Sequence, residues 1–586
     1  MISTHSLSAG AFTELAVGAG DSVVVRQLRE AQLSKHLMLL HALAESADER
    51  GPRSAAAAFR AGYRLLADVQ RADPDVVSRL LGSPHIGSWA HHCLGCLDKG
   101  LPPDFGYLAA AAAAAAIAAG APFELAVPAR DGCVVLPGLG SLRAPGQGEW
   151  VRLSSDGERL QVGGRIGVDC AALVPDGGAT DLVPHWRGTP LVRAVADGQV
   201  WEVRLETVDR HLDRYHLPML TTMTASAVAQ WRRRIRSAWE LLVRHHDWAA
   251  GPIAAGVSVI VPLVPRSDLD SATSQAAFGA IATSLPRSPA SMAETLIHEF
   301  QHSKLCGLMD MLPLIEMSGK RGYAPWREDP RPMGGLLQGV YAFAGIVRFH
   351  DVQRRIETDP GEILRSSVLY ERWRSTIEPV AGALLDEGIL TPTGIRFVTE
   401  LRDRVRRQES VPVPAEAAAI AREIALDNWL TWQMRHTALD PTGVADLADA
   451  YRRGESLDGR VLPAASIEDD IRKVDSIARS RLLNTRFQDP QRYQQLCASG
   501  PPELGPADAL LARGDASAAV AAYCEGLAAE PDPAAWIGLA LAVHRRAAIS
   551  APKVFATHLP LLFEMHACLA DQGIQANPLD LAAWFE

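Results

Sequence analysis

Two histidines separated by three residues stand in the segment MAETLIHEFQHSKLCGLMDML (292–312), and a glutamate directly follows the first of them. An α-helix turns by about 100° per residue, so positions four apart share one face, and His298 and His302 can bind one metal ion there. Glu299 lies beside them and is the candidate catalytic residue, because in zinc hydrolases of the HExxH type this glutamate takes a proton from the metal-bound water. A hydrolytic zinc ion, an oxidising iron and no metal at all are the alternatives that the motif leaves open.

The motif supplies two ligands, whereas a catalytic metal normally has three from the protein and keeps at least one position open. The position six after His302 is Leu308, so the third histidine of the HExxHxxGxxH pattern is absent. In the next predicted helix, from about 333 to 355, Gln338 is the polar residue on the apolar face and is the candidate third ligand. A neutral amide suits a hard divalent iron better than zinc. The rival ligands are Glu316, Asp329, His350 and Asp310, of which Asp310 shares the face of Glu299 and is expected to orient a neighbour instead.

Other histidines and cysteines fit a metal site less well. Four such residues lie close together: His91, His92, Cys93 and Cys96. They have no second Cys/His pair at zinc-site spacing, so we interpret them as part of an ordinary amphipathic helix. His436 is interpreted as a packed core residue or as part of a pocket wall. His245 and His246 are expected at the surface, at the end of a helix.

Composition excludes several classes of protein. The 586 residues are too many for one core and suggest three or four domains, at a rough prior of about 150 residues each. The net charge of −10 argues against a nucleic-acid partner, which usually selects a basic surface. The longest apolar run, Leu108–Ala119, has 12 residues, fewer than the roughly 17 that a membrane span requires. The first residues show no secretory signal and the eight cysteines form no disulfide framework, so we expect a reduced cytoplasmic protein.

The apolar pattern predicts a mainly α protein with a β-rich insertion, in the α+β class. The alternation of apolar and polar residues after Phe123, interrupted by Asp-Gly and Gly-Gly pairs, indicates antiparallel hairpins. Strand-like stretches at 256–264 and 278–285 precede the motif helix, which predicts a zincin-like core. Four regions are predicted: helical 1–122, β-rich 123–215, the catalytic region 216–500 and a helical tail 501–586.

The tail resembles a tetratricopeptide unit. Ala519, Tyr523 and Pro531 have the spacing of the second helix of that repeat, and Trp536 begins the next unit. Only one and a half units are evident. A helical cap on the catalytic region and a peptide-binding module are therefore both open.

Several segments together resemble the HExxH-type peptide-modification proteins, which are understood as 2-oxoglutarate-dependent peptide β-hydroxylases of bacterial gene clusters for ribosomally made peptides. The main segments are FGAIATSLP, AETLIHEFQHSKL and YAPWREDPRPMGGLLQGVYAF. Weaker similarity occurs in SKHLMLL, HIGSWA, PFELAVPARDGCVVLPGLG and NWLTWQMRH. The resemblance covers roughly residues 20–490 and leaves the tail outside.

The resemblance implies Fe(II) bound by His298 and His302, with 2-oxoglutarate and O2 as cosubstrates. It also implies hydroxylation of a β-carbon in a precursor peptide. Whether that peptide needs a leader segment, and whether the tail recognises it, stays open. Related members often carry histidine where this chain has Gln338, which supports that position as a ligand.

The distal carboxylate of 2-oxoglutarate requires a fixed cation, which arginine supplies in bidentate form. Arg327 and Arg331, in a proline-rich loop between the two predicted metal-site helices, are the candidates, with Tyr341 as a further cofactor-binding residue. The strand predicted at 278–285 is expected to be an edge strand that pairs with the extended peptide.

Two other functions compete with the hydroxylase. The first is a zinc metallopeptidase that processes a peptide, against which the missing acidic or histidine third ligand counts. The second is a non-catalytic peptide-binding scaffold, against which the intact HEFQH counts.

Overall fold

The computed structural model forms two compact units, Met1–Leu314 and Ile315–Glu586. It describes residues 5–50, 53–144, 148–164, 166–174, 185–212, 217–266, 270–407, 412–499, 504–547 and 551–586. The region boundaries predicted at 215/216 and 500/501 lie outside the described residues.

The first unit begins with six helices, as the sequence predicts. They are α1 (Ala9–Ala16), α2 (Ser22–Arg50), α3 (Arg53–Ala72), α4 (Pro74–Leu81), α5 (Pro84–Asp98) and α6 (Tyr107–Ala118). The alanine run forms most of α6, and every residue from Tyr107 to Ile117 is buried. A methyl group at Gly62 of α3 would lie 2.8 Å from the Cα of Ala109, so these two helices pack with their backbones in close contact. The run is thus a core helix.

Two antiparallel sheets follow α6. Their strands are β1 (Phe123–Pro128), β2 (Cys133–Leu136), β3 (Gly140–Arg143), β4 (Trp150–Ser155), β5 (Arg159–Val162), β6 (Ile166–Asp169) and β7 (Trp186–Gly188), with the one-turn helix α7 (Cys170–Leu173) after β6. One sheet has the order β1-β4-β5-β6 and the other β2-β3-β7. Asp131 and Gly132 have φ of 51° and 69°, which suits the tight turns that the Asp-Gly pairs predict.

A five-stranded mixed sheet carries the segment before the metal motif. Its strands are β8 (Leu191–Ala196), β9 (Gln199–Leu205), β10 (Val259–Pro262), β11 (Ser271–Ala272) and β12 (Ala280–Thr283). Helices α8 (Ala225–His245) and α9 (Asp247–Gly256) lie between β9 and β10 in the chain, and α10 (Pro289–Met311) follows β12. Both predicted strands are present, as β10 and β12.

The prediction that the strand at 278–285 is an edge strand is wrong. The order of the sheet is β11-β12-β10-β9-β8, so β12 is paired on both sides. β11 runs antiparallel to it, with Ser271 opposite Thr283 and Ala272 opposite Ala282. All four residues of β12 are buried, which agrees with its mainly apolar sequence, AIAT.

The second unit is mostly helical. It starts with the hairpin β13 (Arg321–Gly322) and β14 (Arg331–Pro332). The helices that follow are α11 (Met333–Ile356), α12 (Pro360–Asp386), α13 (Pro392–Arg406), α14 (Ala415–His436), α15 (Pro441–Arg452), α16 (Ile477–Gln488) and α17 (Pro490–Ser499). Strands β15 (Thr437–Leu439) and β16 (Ala465–Ile467) pair beside α15 in the chain.

The tail is helical and shares a core with the preceding helices. It contains α18 (Pro506–Ala512), α19 (Ala516–Ala529), α20 (Pro533–Ala547), α21 (Val554–Thr557), α22 (Leu559–Asp571) and α23 (Pro578–Ala583). Leu430 and Met434 of α14 belong to the same apolar cluster as Trp536, Phe555 and Leu562 of the tail.

The chain is mainly helical with antiparallel and mixed sheets, which confirms the α+β class. Among the described residues, no helix combines the length and the apolar character that crossing a membrane requires.

Candidate metal centre

Local features of the sequence set where the motif helix α10 begins and how the chain enters it. Ser288 is the N-cap, and its hydroxyl accepts a hydrogen bond from the backbone N–H of Ser291 at 3.0 Å. Pro289 occupies the first turn, where its missing N–H costs nothing. Before β12, Gly279 has a φ of +87°, and a methyl group there would lie 2.6 Å from the carbonyl oxygen of Gly256. Glycine is therefore required where the chain enters β12.

His298 and His302 project from one face of α10 with their rings together. Their Nε2 atoms are 3.3 Å apart, and the ring planes meet at 80° with centroids 4.9 Å apart. Two ligands of one ion with bonds of about 2.1 Å lie between roughly 3.0 Å apart at a right angle and roughly 3.4 Å at a tetrahedral angle. The observed separation fits a shared ion, and it fits iron and zinc equally.

Burial controls the protonation of the first histidine. It lowers the pKa of His298 to about 4, with Glu299 opposing the shift and His302 adding to it. His298 is therefore neutral at physiological pH. A neutral imidazole keeps the lone pair that a metal ion needs.

Glu299 is buried, and two hydroxyl groups hold its carboxylate. Ser271 donates to Oε1 at 2.7 Å and Thr273 donates to Oε2 at 2.7 Å. The same Thr273 hydroxyl lies 3.0 Å from the backbone carbonyl oxygen of Glu299. The carboxylate thus joins α10 to the edge strand β11 and the residues that follow it.

Two other residues of the motif helix fix the N-terminal segment. Gln301 donates to the carbonyl oxygen of Gly18 at 3.0 Å, and Lys304 donates to the carbonyl oxygen of Ala19 at 2.7 Å. Both side chains are buried. These carbonyls follow the end of α1, where cations and N–H donors satisfy unpaired backbone oxygens.

Asp310 also has a structural partner. Its Oδ2 accepts from Gln32 at 2.9 Å and from Lys35 at 2.8 Å, both on α2. Asp310 thus links α10 to α2. One residue further along α2, His36 lies against α5, because a methyl group at Gly87 would come 2.4 Å from its Nε2.

The remaining candidates for metal and cofactor binding lie in the second unit. Gln338 is half-buried on α11, and its neighbour Gly339 faces Trp326, since a methyl group at Gly339 would lie 2.0 Å from that ring. Tyr341 is buried against Phe397, with ring centroids 5.4 Å apart, and burial raises the pKa of its hydroxyl far above the usual range.

The two candidate arginines pair with one carboxylate. Arg327 donates to Oδ1 of Asp329 at 3.1 Å and Arg331 donates to Oδ2 at 3.0 Å. Burial would raise the pKa of Asp329, but these two hydrogen bonds outweigh it and lower that pKa. Asp329 therefore acts as the counter-ion of both arginines.

Of the other rival ligands, Glu316 is exposed and His350 is fully buried on α11 against Phe349. Sequence reasoning did not single out Arg372, whose guanidinium lies over Trp373, 4.5 Å from the ring centroid. Burial lowers its pKa to about 10. Within the described residues no carboxylate lies within ion-pairing distance of it.

Three other predictions about histidines have clear outcomes. His246 is wrong as a surface residue, because it is completely buried, whereas His245 is exposed. His436 is a packed core residue: its Nε2 is 2.8 Å from the carbonyl oxygen of Glu328. The group from His91 to Cys96 lies on a helix, α5, as predicted, and His92 contacts Cys96 there at 3.4 Å.

Over the part of the chain that the structure describes, no group of three or more His, Cys, Asp or Glu side chains is arranged to hold a metal ion. A metal ion bound by His298 and His302 would therefore need a third ligand of another type or from outside the described residues. No model of a protein family matches the chain, and a search of curated proteins found no relative.

Proposed function

We propose that the chain is an Fe(II)- and 2-oxoglutarate-dependent hydroxylase that acts on a β-carbon of a residue in a ribosomally made precursor peptide. The observation that carries the proposal is the environment of Glu299 beside the paired histidines. In a zinc peptidase this glutamate takes a proton from the attacking water. Here both of its oxygens accept hydrogen bonds from Ser271 and Thr273, which supports a positioning role for the carboxylate.

His298 and His302 would hold the iron through neutral imidazole nitrogens, which are ordinary ligands of divalent iron. Bound iron, with 2-oxoglutarate and O2, supplies the oxidising power that inserts one oxygen atom into a C–H bond. Glu299 keeps α10 in register with β11, so the two rings keep their common direction. Gln338 as third ligand, and Arg327, Arg331 and Tyr341 as residues for 2-oxoglutarate, stay predictions from the sequence.

The substrate peptide would pair with β11, one of the two edge strands of the five-stranded sheet. Extended peptides add to exposed sheet edges through backbone hydrogen bonds. β11 carries the hydroxyl of Ser271 that reaches Glu299, so a peptide on this edge would lie next to the motif helix.

A zincin-like core and a tetratricopeptide-like tail are parts of the same proposal. The zincin-like core is supported by the buried strand β12, which leads directly into the motif helix α10. The tetratricopeptide-like tail is supported by the close packing of α19 and α20, where a methyl group at Gly538 would lie 2.3 Å from the ring of Tyr523. The core that the tail shares with α14 favours a helical cap over a detachable module.

The test loads the protein anaerobically with Fe(II), adds 2-oxoglutarate and a candidate precursor peptide from a neighbouring gene, and then admits O2. We expect succinate and a peptide heavier by one oxygen atom. Both products should depend on iron, and zinc should suppress both because it has no redox chemistry.

A cleaved peptide with zinc alone, and no succinate, would overturn the hydroxylase in favour of the peptidase. Peptide binding with neither metal uptake nor product would instead favour the non-catalytic scaffold.

A further inference from the structure

A cavity of about 910 Å³ lies within the second unit, between α14, the helices α16 and α17, and the tail helices α18 and α20. Its volume is near the upper end of the roughly 300–1,000 Å³ that small-ligand sites occupy. It is therefore large enough for several consecutive side chains of a peptide. None of the predicted metal or cofactor residues lines it.

The cavity is basic although the chain as a whole is acidic. Four arginines and one glutamate line it: Arg422, Arg486, Arg513, Arg545 and Glu423. The whole chain carries a net charge of −10, so this concentration of positive charge is a local feature. A basic cleft in an acidic protein attracts anionic ligands selectively.

Glu423 neutralises only part of that charge. Its Oε2 accepts from Arg486 at 3.2 Å, and its Oε1 accepts from Arg545. The other two arginines have no carboxylate partner among the described residues: Arg513 donates to the carbonyl oxygen of Cys497 at 3.1 Å, and Arg422 is exposed. Two guanidinium groups are thus available to an incoming carboxylate, and two more share a single acid.

The rest of the lining is mainly apolar, apart from the imidazole of His544. Leu426 and Leu541 contribute aliphatic surface, Ala419 and Ala512 leave space, and Tyr493 adds an aromatic ring. A ligand that fits such a lining combines carboxylates with at least one aliphatic side chain. Arginine binds carboxylates in bidentate form, and apolar surface stabilises a neighbouring aliphatic group.

We propose that this cavity binds an acidic, amphipathic segment of a peptide, and that Arg422 and Arg513 are its principal contacts. The identification of that peptide with the precursor rests on the proposed function, whereas the binding itself does not. The segment would be held at the tail while another part of the same peptide is modified, which raises the effective concentration of the modified part.

The probe is a labelled synthetic peptide that alternates glutamate and leucine, measured by fluorescence anisotropy on the full-length protein without iron. We expect saturable binding that weakens with added salt. Arg422→Glu and Arg513→Glu should each weaken it by about tenfold or more, since each change removes a charge-assisted hydrogen bond and adds a repelling charge. Arg407→Glu, with the same change in charge at an exposed position outside the cavity, is the matched control.

Two further variants test the cavity itself. Glu423→Gln removes the acid that Arg486 and Arg545 share, so the acidic probe should bind more tightly. Ala419→Trp fills the cavity from an exposed helix position and should abolish binding without disturbing the core. Circular dichroism of every variant checks that the fold is intact.

Equal losses in Arg407→Glu and the cavity variants, or unchanged binding in Ala419→Trp, would overturn the proposal. Stronger binding of an RNA oligonucleotide or of inorganic phosphate, lost in the same variants, would also overturn it and identify a phosphate site. Failure of hydroxylation with intact probe binding would remove the proposed function alone. A raised KM with unchanged kcat for hydroxylation in Arg422→Glu would show that the peptide bound in the cavity is the hydroxylation substrate.

Discussion

The carboxylate of Glu299 accepts a hydrogen bond of 2.7 Å from the hydroxyl of Thr273, and the same hydroxyl lies 3.0 Å from the backbone carbonyl oxygen of Glu299. One threonine thus contacts both the side chain and the backbone of the residue that stands between the two histidines of the motif. This relationship supports a positioning role for Glu299, and it leads to the first prediction.

Glu299→Gln keeps the shape of the side chain and the acceptor oxygen but removes its basicity. In the proposed hydroxylase this variant should keep its rate within about tenfold of the wild type. In a zinc peptidase the loss of the general base would lower kcat by roughly 10²–10⁴-fold. Steady-state kinetics on the metal-loaded protein separates the two outcomes.

Thr273→Val should lower the free energy of unfolding by about 1–3 kcal/mol, because a buried carboxylate oxygen loses its donor. Thr221→Val, at an exposed position, is the control and should change little. Equal urea-unfolding midpoints for the two variants would contradict the framework role of Glu299.

The two histidines should act as one metal site. His298→Ala or His302→Ala should each reduce bound iron from stoichiometric to near zero, because a site left with one imidazole loses most of its affinity. His245→Ala, an exposed histidine outside the motif, should retain the metal. Metal analysis by mass spectrometry after dialysis gives the result, and full metal content in both motif variants would show that the pair is not a ligand set.

Sequence patterns located the motif helix and the strand before it because both depend on local periodicity. The period of α10 and the continuous apolar run of β12 are visible within short windows. The antiparallel hairpins were equally accessible, since Asp131 and Gly132 specify a tight turn by themselves.

The side chains that contact Glu299 could not be predicted from the sequence, because their contacts depend on tertiary packing. β11 has only two residues, too few to show a period, so the edge of the sheet was assigned to β12 instead. Ser271 and Thr273 meet Glu299 only because that edge packs on α10. His246 was expected at the surface because it ends a helix, and the fold buries it.

A buried ion pair in the first unit makes stability depend on pH. His85 Nε2 is 2.9 Å from Oε2 of Glu206, and both side chains are almost completely buried. Burial disfavours the charged form of each, but their mutual hydrogen bond and charge outweigh it, which raises the pKa of His85 and lowers that of Glu206.

The contribution of His85 is complete below its ordinary pKa of 6.5 and is lost as the pH rises through the raised value. That of Glu206 is complete above its ordinary pKa of 4.5 and is lost as the pH falls through the lowered value. The pair should therefore stabilise the protein most between pH 4.5 and pH 6.5, where both contributions are complete. His85→Gln leaves a buried charge and should cost about 3–5 kcal/mol there.

The double variant His85→Gln/Glu206→Gln is the control, because it removes both charges at once. Urea-unfolding midpoints measured inside this pH window and above it should differ more for the wild type than for the double variant. Parallel pH profiles for the two proteins would show that the pair is not charged in the folded state.

Two glycines in neighbouring tail helices allow a matched test of how closely those helices pack. A methyl group at Gly538 of α20 would lie 2.3 Å from the ring of Tyr523 on α19, and the hydroxyl of Tyr523 is held by Asp508 at 2.5 Å. The ring cannot move aside without losing that bond, so Gly538→Ala should destabilise the protein by about 1–3 kcal/mol.

Gly526 of α19 is exposed with no atom within 4 Å of such a methyl group, so Gly526→Ala should stabilise by up to about 1 kcal/mol through helix propensity. Opposite shifts of the urea midpoint are expected. Shifts in the same direction would mean that α19 and α20 do not pack as a close pair, and would remove the support for a tetratricopeptide-like tail.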